Sequence, residues 1–147
     1  MGRPLSLAAL VLCLGLAAAG CRPNANAKTA PPGLDRERFL FENVLFEFDH
    51  HDIRPDQVQA IYFKVDYLQQ NPSARAVIQG HCDERGTEAY NEALGDRRAK
   101  AVYNYLVDHG VDGSRLSTVS YGKDFPLDPG HDEGAWQRNR RAQFVLQ

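Results

Sequence analysis

The chain has 147 residues, enough for one folded domain and a short remainder. A net charge of −2 gives no bulk attraction for nucleic acid, so a nucleic-acid-binding role is not expected. With 43% hydrophobic and 24% charged residues, the composition is that of an ordinary globular domain.

Leu5 to Leu16 is an apolar run of twelve residues, too short to span a bilayer as a mature helix. It follows a thin basic start at Arg3 and ends in the small residues Ala17-Ala18-Ala19-Gly20, the layout of a cleaved signal peptide over residues 1–20. Residues 21–42 read as a tether. Arg22 to Gly33 holds three prolines and no periodic apolar pattern, and Leu34 to Phe41 reads as a short turn of helix leaning on the domain. Of the three cysteines, Cys13 leaves with the leader and Cys21 stands at the new N-terminus. Cys82 is left without an intramolecular partner, so stability must come from the core.

The domain proper is expected over residues 43–147. Val44 to Phe48 is β-branched and aromatic and reads as a strand, placed centrally. A polar loop, Asp49-His50-His51-Asp52, follows. Pro55 suits the first turn of a helix, and Val58, Ile61, Tyr62, Val65 and Leu68 continue it to a stop at Asn71-Pro72. Ala74 to Gln79 reads as a second strand. Thr87 can cap a long helix whose apolar contacts are assigned to Ala89, Ala93, Leu94, Ala101, Val102, Tyr105 and Leu106, and which Gly110 ends. Arg115 to Tyr121 alternates as a third strand, His131 to Asn139 reads as a short helix, and Arg141 to Leu146 as the last strand. The order β-α-β-α-β-(α)-β predicts an α/β sandwich: a mixed four-stranded sheet covered by helices on one face.

Three constellations compete for chemistry. His50, His51, His81, Cys82 and Asp83 are metal-ligand types, but neither HExxH nor a CxxC pair is present. They are read as solvated loop histidines, with Cys82 packed behind the strand, and no metal or cofactor is expected. Asp83, Glu84 and Arg98 could host acid–base work, yet no nucleophile–base pair and no phosphate loop accompany them, so an enzyme is not expected. The third is a zwitterion site. Asn91, Leu94 and Arg98 lie at i, i+3 and i+7 on one helix face, and Asp83 ends the strand before the helix. Arginine grips a carboxylate through parallel N–H bonds, and aspartate holds an ammonium. Spacing alone leaves open whether Asp83 and Arg98 hold a ligand or simply pair with each other.

At this point a resemblance enters. Asn91-x-x-Leu94-x-x-x-Arg98-Ala99-x-x-Val102-x-x-x-Leu106 resembles the peptidoglycan-binding motif of OmpA-like C-terminal domains. GHCDERGT (Gly80–Thr87), LGDRRAKAV (Leu94–Val102), SYGK (Ser120–Lys123), GHDE (Gly130–Glu133) and AWQRNRRAQF (Ala135–Phe144) are similar to the peptidoglycan-associated lipoproteins of that family, as is FEFDHHDI (Phe46–Ile53). The resemblance spans residues 43–147. LAAAGC also resembles a bacterial lipobox, with Ala18 where leucine is usual. This implies lipidation at Cys21, and Arg22 in the next position implies sorting to the outer membrane.

For function, the resemblance implies non-covalent binding of peptidoglycan through the diaminopimelate of its stem peptide, with Asp83 and Arg98 as the gripping pair and Asp49, Asn91 and Leu94 as pocket wall. It implies a place in the Tol–Pal envelope system that supports envelope integrity and cell division, with a TolB-like periplasmic propeller protein as partner on an overlapping surface. Gly95 stands where many OmpA-like domains have serine. The competing readings are a wall-modifying enzyme that borrows the pocket, and a wall-associated protein adaptor with no direct hold on peptidoglycan.

Overall fold

In the computed structural model, which describes residues 32–147, the apolar runs resolve into four helices and four strands. In chain order these are α1 (Pro32–Phe41), β1 (Val44–Leu45), α2 (Val58–Gln70), β2 (Ala76–His81), α3 (Glu88–Asp108), β3 (Leu116–Gly122), α4 (Glu133–Asn139) and β4 (Arg141–Leu146). The leader, Cys21 and the tether up to residue 31 lie outside the described residues. The strands form one mixed sheet in the order β1-β4-β2-β3, with β2 parallel to β3 and β4 antiparallel to both β1 and β2. A parallel pair needs a crossover, and α3 supplies it.

Period-two alternation separates the two faces of the sheet. Ala76 and Ile78 of β2, Leu116 of β3, and Ala142 and Phe144 of β4 enter the core. There they meet Phe39 of α1, Ile61, Val65 and Leu68 of α2, and Ala99, Val102 and Leu106 of α3. The expected sheet with helices on one face is what forms.

Two local expectations fail. The first strand is an edge strand, and only Val44 and Leu45 are paired in it. Val44 and Phe46 do point inward, but Phe48 is half exposed and the chain turns at Asp49, whose φ of 60° is left-handed. The aromatic residue that made the run look like a central strand serves a side chain in the site instead. The free edge at Leu45 is blunted by Gln57, whose side-chain oxygen accepts the Leu45 N–H at 3.0 Å.

The second failure concerns α3. Ala89 and Ala93 are exposed, and the buried stripe is Asn91, Leu94, Gly95, Arg98, Ala99, Val102 and Leu106. One face therefore carries both core and candidate site; the two are not on separate faces. The ends of this helix are well specified. Thr87 accepts from Tyr90 N–H, and a Schellman turn closes the other end: Gly110, at φ 91°, donates to Val107 O and Val111 donates to Leu106 O.

Leu34 to Phe41, read as a short turn of helix leaning on the domain, packs as part of α1. Phe39 is fully buried, stacked on Tyr67 at 4.5 Å and edge-on to Phe144 at 5.2 Å. The carbonyls at the end of α1 are capped from another helix. Lys64 of α2, with no exposed surface, donates to Arg38 O and Phe39 O and lies 4.9 and 5.1 Å from the centroids of the Phe39 and Phe144 rings. Burial pushes the Lys64 pKa down to about 7.

The contact that seats α3 on the sheet is backbone against backbone. A Cβ at Gly80 would lie 1.8 Å from Gly95 O, and a Cβ at Gly95 would lie 2.3 Å from Ser120 Oγ. No side chain fits on β2 at this crossing, because the helix backbone occupies its place. Gly80→Ala is expected to lower the unfolding free energy by about 3 kcal/mol, because backbone atoms must part. Gly95→Ala should cost less, about 1–2 kcal/mol: its Cβ lies 3.0 Å from Gly80 O and displaces the Ser120 hydroxyl from Glu92 O, while alanine favours the helix. Urea unfolding measures both, and equal losses would contradict the crossing as the limiting contact.

Candidate functional site

Beyond the Gly80–Gly95 crossing, β2 runs out at His81 and the chain continues through Cys82 and Asp83 into the loop before α3. The loop is pinned from the helix. Asn91 Nδ2 donates to Arg85 O at 2.8 Å, the Cys82 thiol reaches Asn91 O at 3.3 Å, and Lys123 Nζ donates to Gly86 O at 2.9 Å. A cleft of about 210 Å³ opens here. All five residues expected to touch a ligand line it: Asp49, Asp83, Asn91, Leu94 and Arg98.

Their roles differ from a direct pair. Asp83 and Arg98 do not contact each other. The Asp83 carboxylate is occupied on both oxygens: Oδ1 accepts from Arg85 N and Nε at 3.1 Å each, and Oδ2 accepts from Arg85 Nη2 at 2.7 Å and Arg140 Nη1 at 3.2 Å. Burial acts on this carboxyl most strongly, raising its pKa, but the bonds from Arg85 and Arg140 together outweigh it and hold the group below the usual aspartate range.

Arg98 has no exposed surface and no carboxylate partner among the described residues; residues 1–31 contain neither Asp nor Glu. It is held by three backbone carbonyls, His50 O from Nε at 2.9 Å, His81 O from Nη1 at 2.9 Å and Glu47 O from Nη2 at 3.0 Å. A guanidinium has five N–H donors, so the three carbonyls leave two without an oxygen partner, beside the Cys82 sulfur and the cleft. Desolvation lowers the Arg98 pKa and the charge of Arg140 adds to it, outweighing the pull of Cys82, Asp83 and Asp49 in the other direction. The arrangement suits a ligand carboxylate, which would complete the donors and neutralise the charge together.

The wall is built from both sides. Asp49 accepts the Tyr90 hydroxyl, which ties the loop after β1 to the first turn of α3. Leu94 is the apolar floor. Sequence reasoning missed Arg85 and Arg140. Arg85 lies between the rings of Phe48 and Trp136, 4.0 and 4.1 Å from their centroids, and Arg140, almost fully buried, bonds Asp83, Glu133 and Phe46 O. The usable signal was an acid with an arginine two residues on, in Asp83-Glu84-Arg85, and an arginine opening β4 directly after α4.

The histidines also divide. His50 is exposed as expected, whereas His81, whose ring projects to the face of the sheet away from the helices, is buried there against Tyr121. No group of three or more metal-ligating side chains forms among the described residues. Cys82 is a free, buried thiol, and burial pushes its pKa up to about 11, so it is not a nucleophile at neutral pH.

Comparison with known proteins gives a consistent set. The OmpA family matches over residues 45–140. The peptidoglycan-associated lipoprotein of Haemophilus influenzae is 48% identical over 102 residues, covering 69% of this chain and 67% of that protein. The protein of the same name from Pseudomonas aeruginosa is 42% identical over 131 residues, covering 85% and 77%. Among solved structures, the peptidoglycan-associated lipoprotein of Burkholderia pseudomallei superposes with a TM-score of 0.69 at 41% identity, covering 71% of this chain and 89% of that one. The C-terminal domain of Helicobacter pylori MotB, at 22% identity and a TM-score of 0.67, shares the fold.

The Asp83 cluster carries a pH signature. Its carboxylate contributes stability fully above the ordinary aspartate range and loses it as pH falls through the lowered folded value. Asp83→Asn is therefore expected to cost about 2 kcal/mol at pH 7, and the deficit should shrink as both proteins are acidified below about pH 4. Chemical unfolding across pH 7 to 2 reads it. A deficit that stays constant with pH would contradict an ionised, arginine-held Asp83.

Proposed function

Because this chain belongs to the OmpA family, among its peptidoglycan-associated lipoproteins, we propose that it is an outer-membrane lipoprotein that holds the cell wall non-covalently through the diaminopimelate of the stem peptide. The observation that carries the reading is Arg98: a fully buried cation whose oxygen partners are backbone carbonyls only, with two N–H donors left over beside a cleft. A ligand carboxylate docks on those donors. The ligand ammonium takes the place of an Arg85 donor at Asp83, and Arg85 stays within its Phe48–Trp136 stack. Asp49, Asn91 and Leu94 shape the wall around the ligand's methylene chain.

No bond is made or broken, so the role is binding and not catalysis. Many weak contacts along the wall act together. Lipid on Cys21 supplies the membrane end of the link at about 0.8 kcal/mol per buried CH₂. The same surface meets a TolB-like propeller protein in the Tol–Pal system, which places the chain in envelope integrity and cell division.

Titration with a diaminopimelate-containing stem peptide is expected to saturate, and amidation of the free diaminopimelate carboxylate should abolish binding. Arg98→Lys should weaken it roughly tenfold or more, since one ammonium replaces a forked donor. Because Arg98 also ties three backbone segments, unfolding of the variant is measured beside binding. A wild-type chain that binds neither peptide nor purified wall would leave the protein-only adaptor as the answer. Cys21→Ser should move the protein from the membrane to the soluble periplasm and remove palmitate labelling; continued membrane fractionation without label would refute the anchor.

A further inference from the structure

Arg98 is not the only buried arginine without an acid. Three arginines are nearly fully buried among the described residues: Arg98, Arg140 and Arg141. Arg140 has Asp83 and Glu133, while Arg141, like Arg98, touches no carboxylate. Its partners are neutral and partly distant: Gln143 Oε1 accepts from Nε at 3.1 Å and Nη2 at 3.0 Å, Phe125 O lies 3.4 Å away and Asn139 O 3.5 Å. Desolvation alone brings its pKa down to about 10, with no anion opposing it.

Strand alternation turns Arg141 away from the first cleft. Ala142 and Phe144 face the helices, so Arg141 and Gln143 face the uncovered side of the sheet. A second cleft of about 270 Å³ lies there, lined by Gln79, His81, Tyr121, Phe125, Arg141 and Gln143. His81 is more than nine-tenths buried, and neither ring nitrogen has a hydrogen-bond partner. Burial and the charge of Arg141 push its pKa down to about 4, so the ring is neutral, with one donor and one acceptor unsatisfied. A buried polar group without a partner is costly, and a family of good packing contacts gives no reason for it. The His81 ring stacks on Tyr121 at 5.5 Å, and Tyr121 meets Phe125 edge-on at 5.0 Å. Phe125 is more than half exposed, and Tyr121 is the ring that lies on the imidazole.

We propose that this cleft is a second ligand site, which takes a small organic carboxylate carried on a flat ring: the carboxylate on Arg141, the His81 imidazole and the amides of Gln79 and Gln143 as polar partners, and the ring among Tyr121 and Phe125. It stands back to back with the first cleft. The His81 carbonyl accepts from Arg98 on one face of the sheet while its ring serves the other, and Arg140 and Arg141 divide between the two faces in the same way.

Benzoate is the probe, and benzamide the control of equal shape without charge. The whole chain, solubilised in detergent, is titrated with each while the ring resonances of His81 and Tyr121 are followed by NMR. Benzoate is expected to shift both saturably with a Kd of about a millimolar, the range open to a ligand of this size. Benzamide should leave them unmoved, and Arg141→Gln should abolish the benzoate response. Should Arg141→Gln fail to fold, Tyr121→Leu keeps Arg141 and is expected to weaken benzoate at His81 at least several-fold. Equal shifts from benzamide, a response retained in folded Arg141→Gln or undiminished in Tyr121→Leu, or benzoate shifts confined to Asn91 and Leu94 in the first cleft would each overturn the second site.

Discussion

The structure turns on one buried cation and what holds it. Arg98 binds Glu47 O and His50 O from the segment after β1, and His81 O from the end of β2, while its own backbone belongs to α3. Three stretches far apart in sequence meet at one guanidinium. Carbonyl oxygens are strong enough partners to make burial tolerable and carry no net charge, so the cation stays electrically incomplete. Carboxylate partners in their place would have made the group a finished ion pair with nothing to offer a ligand. The close Gly80–Gly95 crossing is what permits the arrangement: with no side chains between α3 and β2, the arginine three residues on from Gly95 can reach the carbonyl at the strand end.

The contrast with Asp83 is instructive. An acid and a base opposite each other in a cleft invite the picture of two jaws. Here each jaw is pre-set by other groups. Asp83 belongs to an acid–arginine cluster with Arg85, Arg140 and Glu133, and Arg98 to a ring of carbonyls. Such separation keeps the two charges from collapsing on each other when nothing is bound, because each has its own partners in the folded state.

Much of this was legible in the sequence, and the failures have identifiable physics. Element order, one-sided sheet and the Thr87 and Gly110 ends of α3 follow from periodicity and capping, which are local. Helical spacing puts Asn91, Leu94 and Arg98 on one face and the family resemblance adds Asp49 and Asp83, and all five line the first cleft. The edge position of β1 was hidden because Phe48 looks like a core aromatic when its ring in fact stacks on Arg85. The buried face of α3 was misassigned because alanine scored as apolar while Asn91, Gly95 and Arg98 scored as polar; burial there depends on partners supplied from distant segments. Arg140 and Arg141 looked like one basic run. Only the start of β4 between them sends one to each face, and hydrophobicity carries no signal for that.

The position of Lys64 has a bearing on how the domain would behave under tension. A pull arriving along the chain from residues before Pro32 reaches α1 first, where the Phe39 plug and the Lys64 grip on the last helix carbonyls must yield, and then the two-residue edge strand β1. The longer pairings of β2 with β3 and β4, on which the second cleft rests, come last. The fold thus places its weakest seam nearest the leading end, directly before the Glu47–His50 segment that holds Arg98, so the first cleft would loosen while the β2–β3 and β2–β4 pairings still stand.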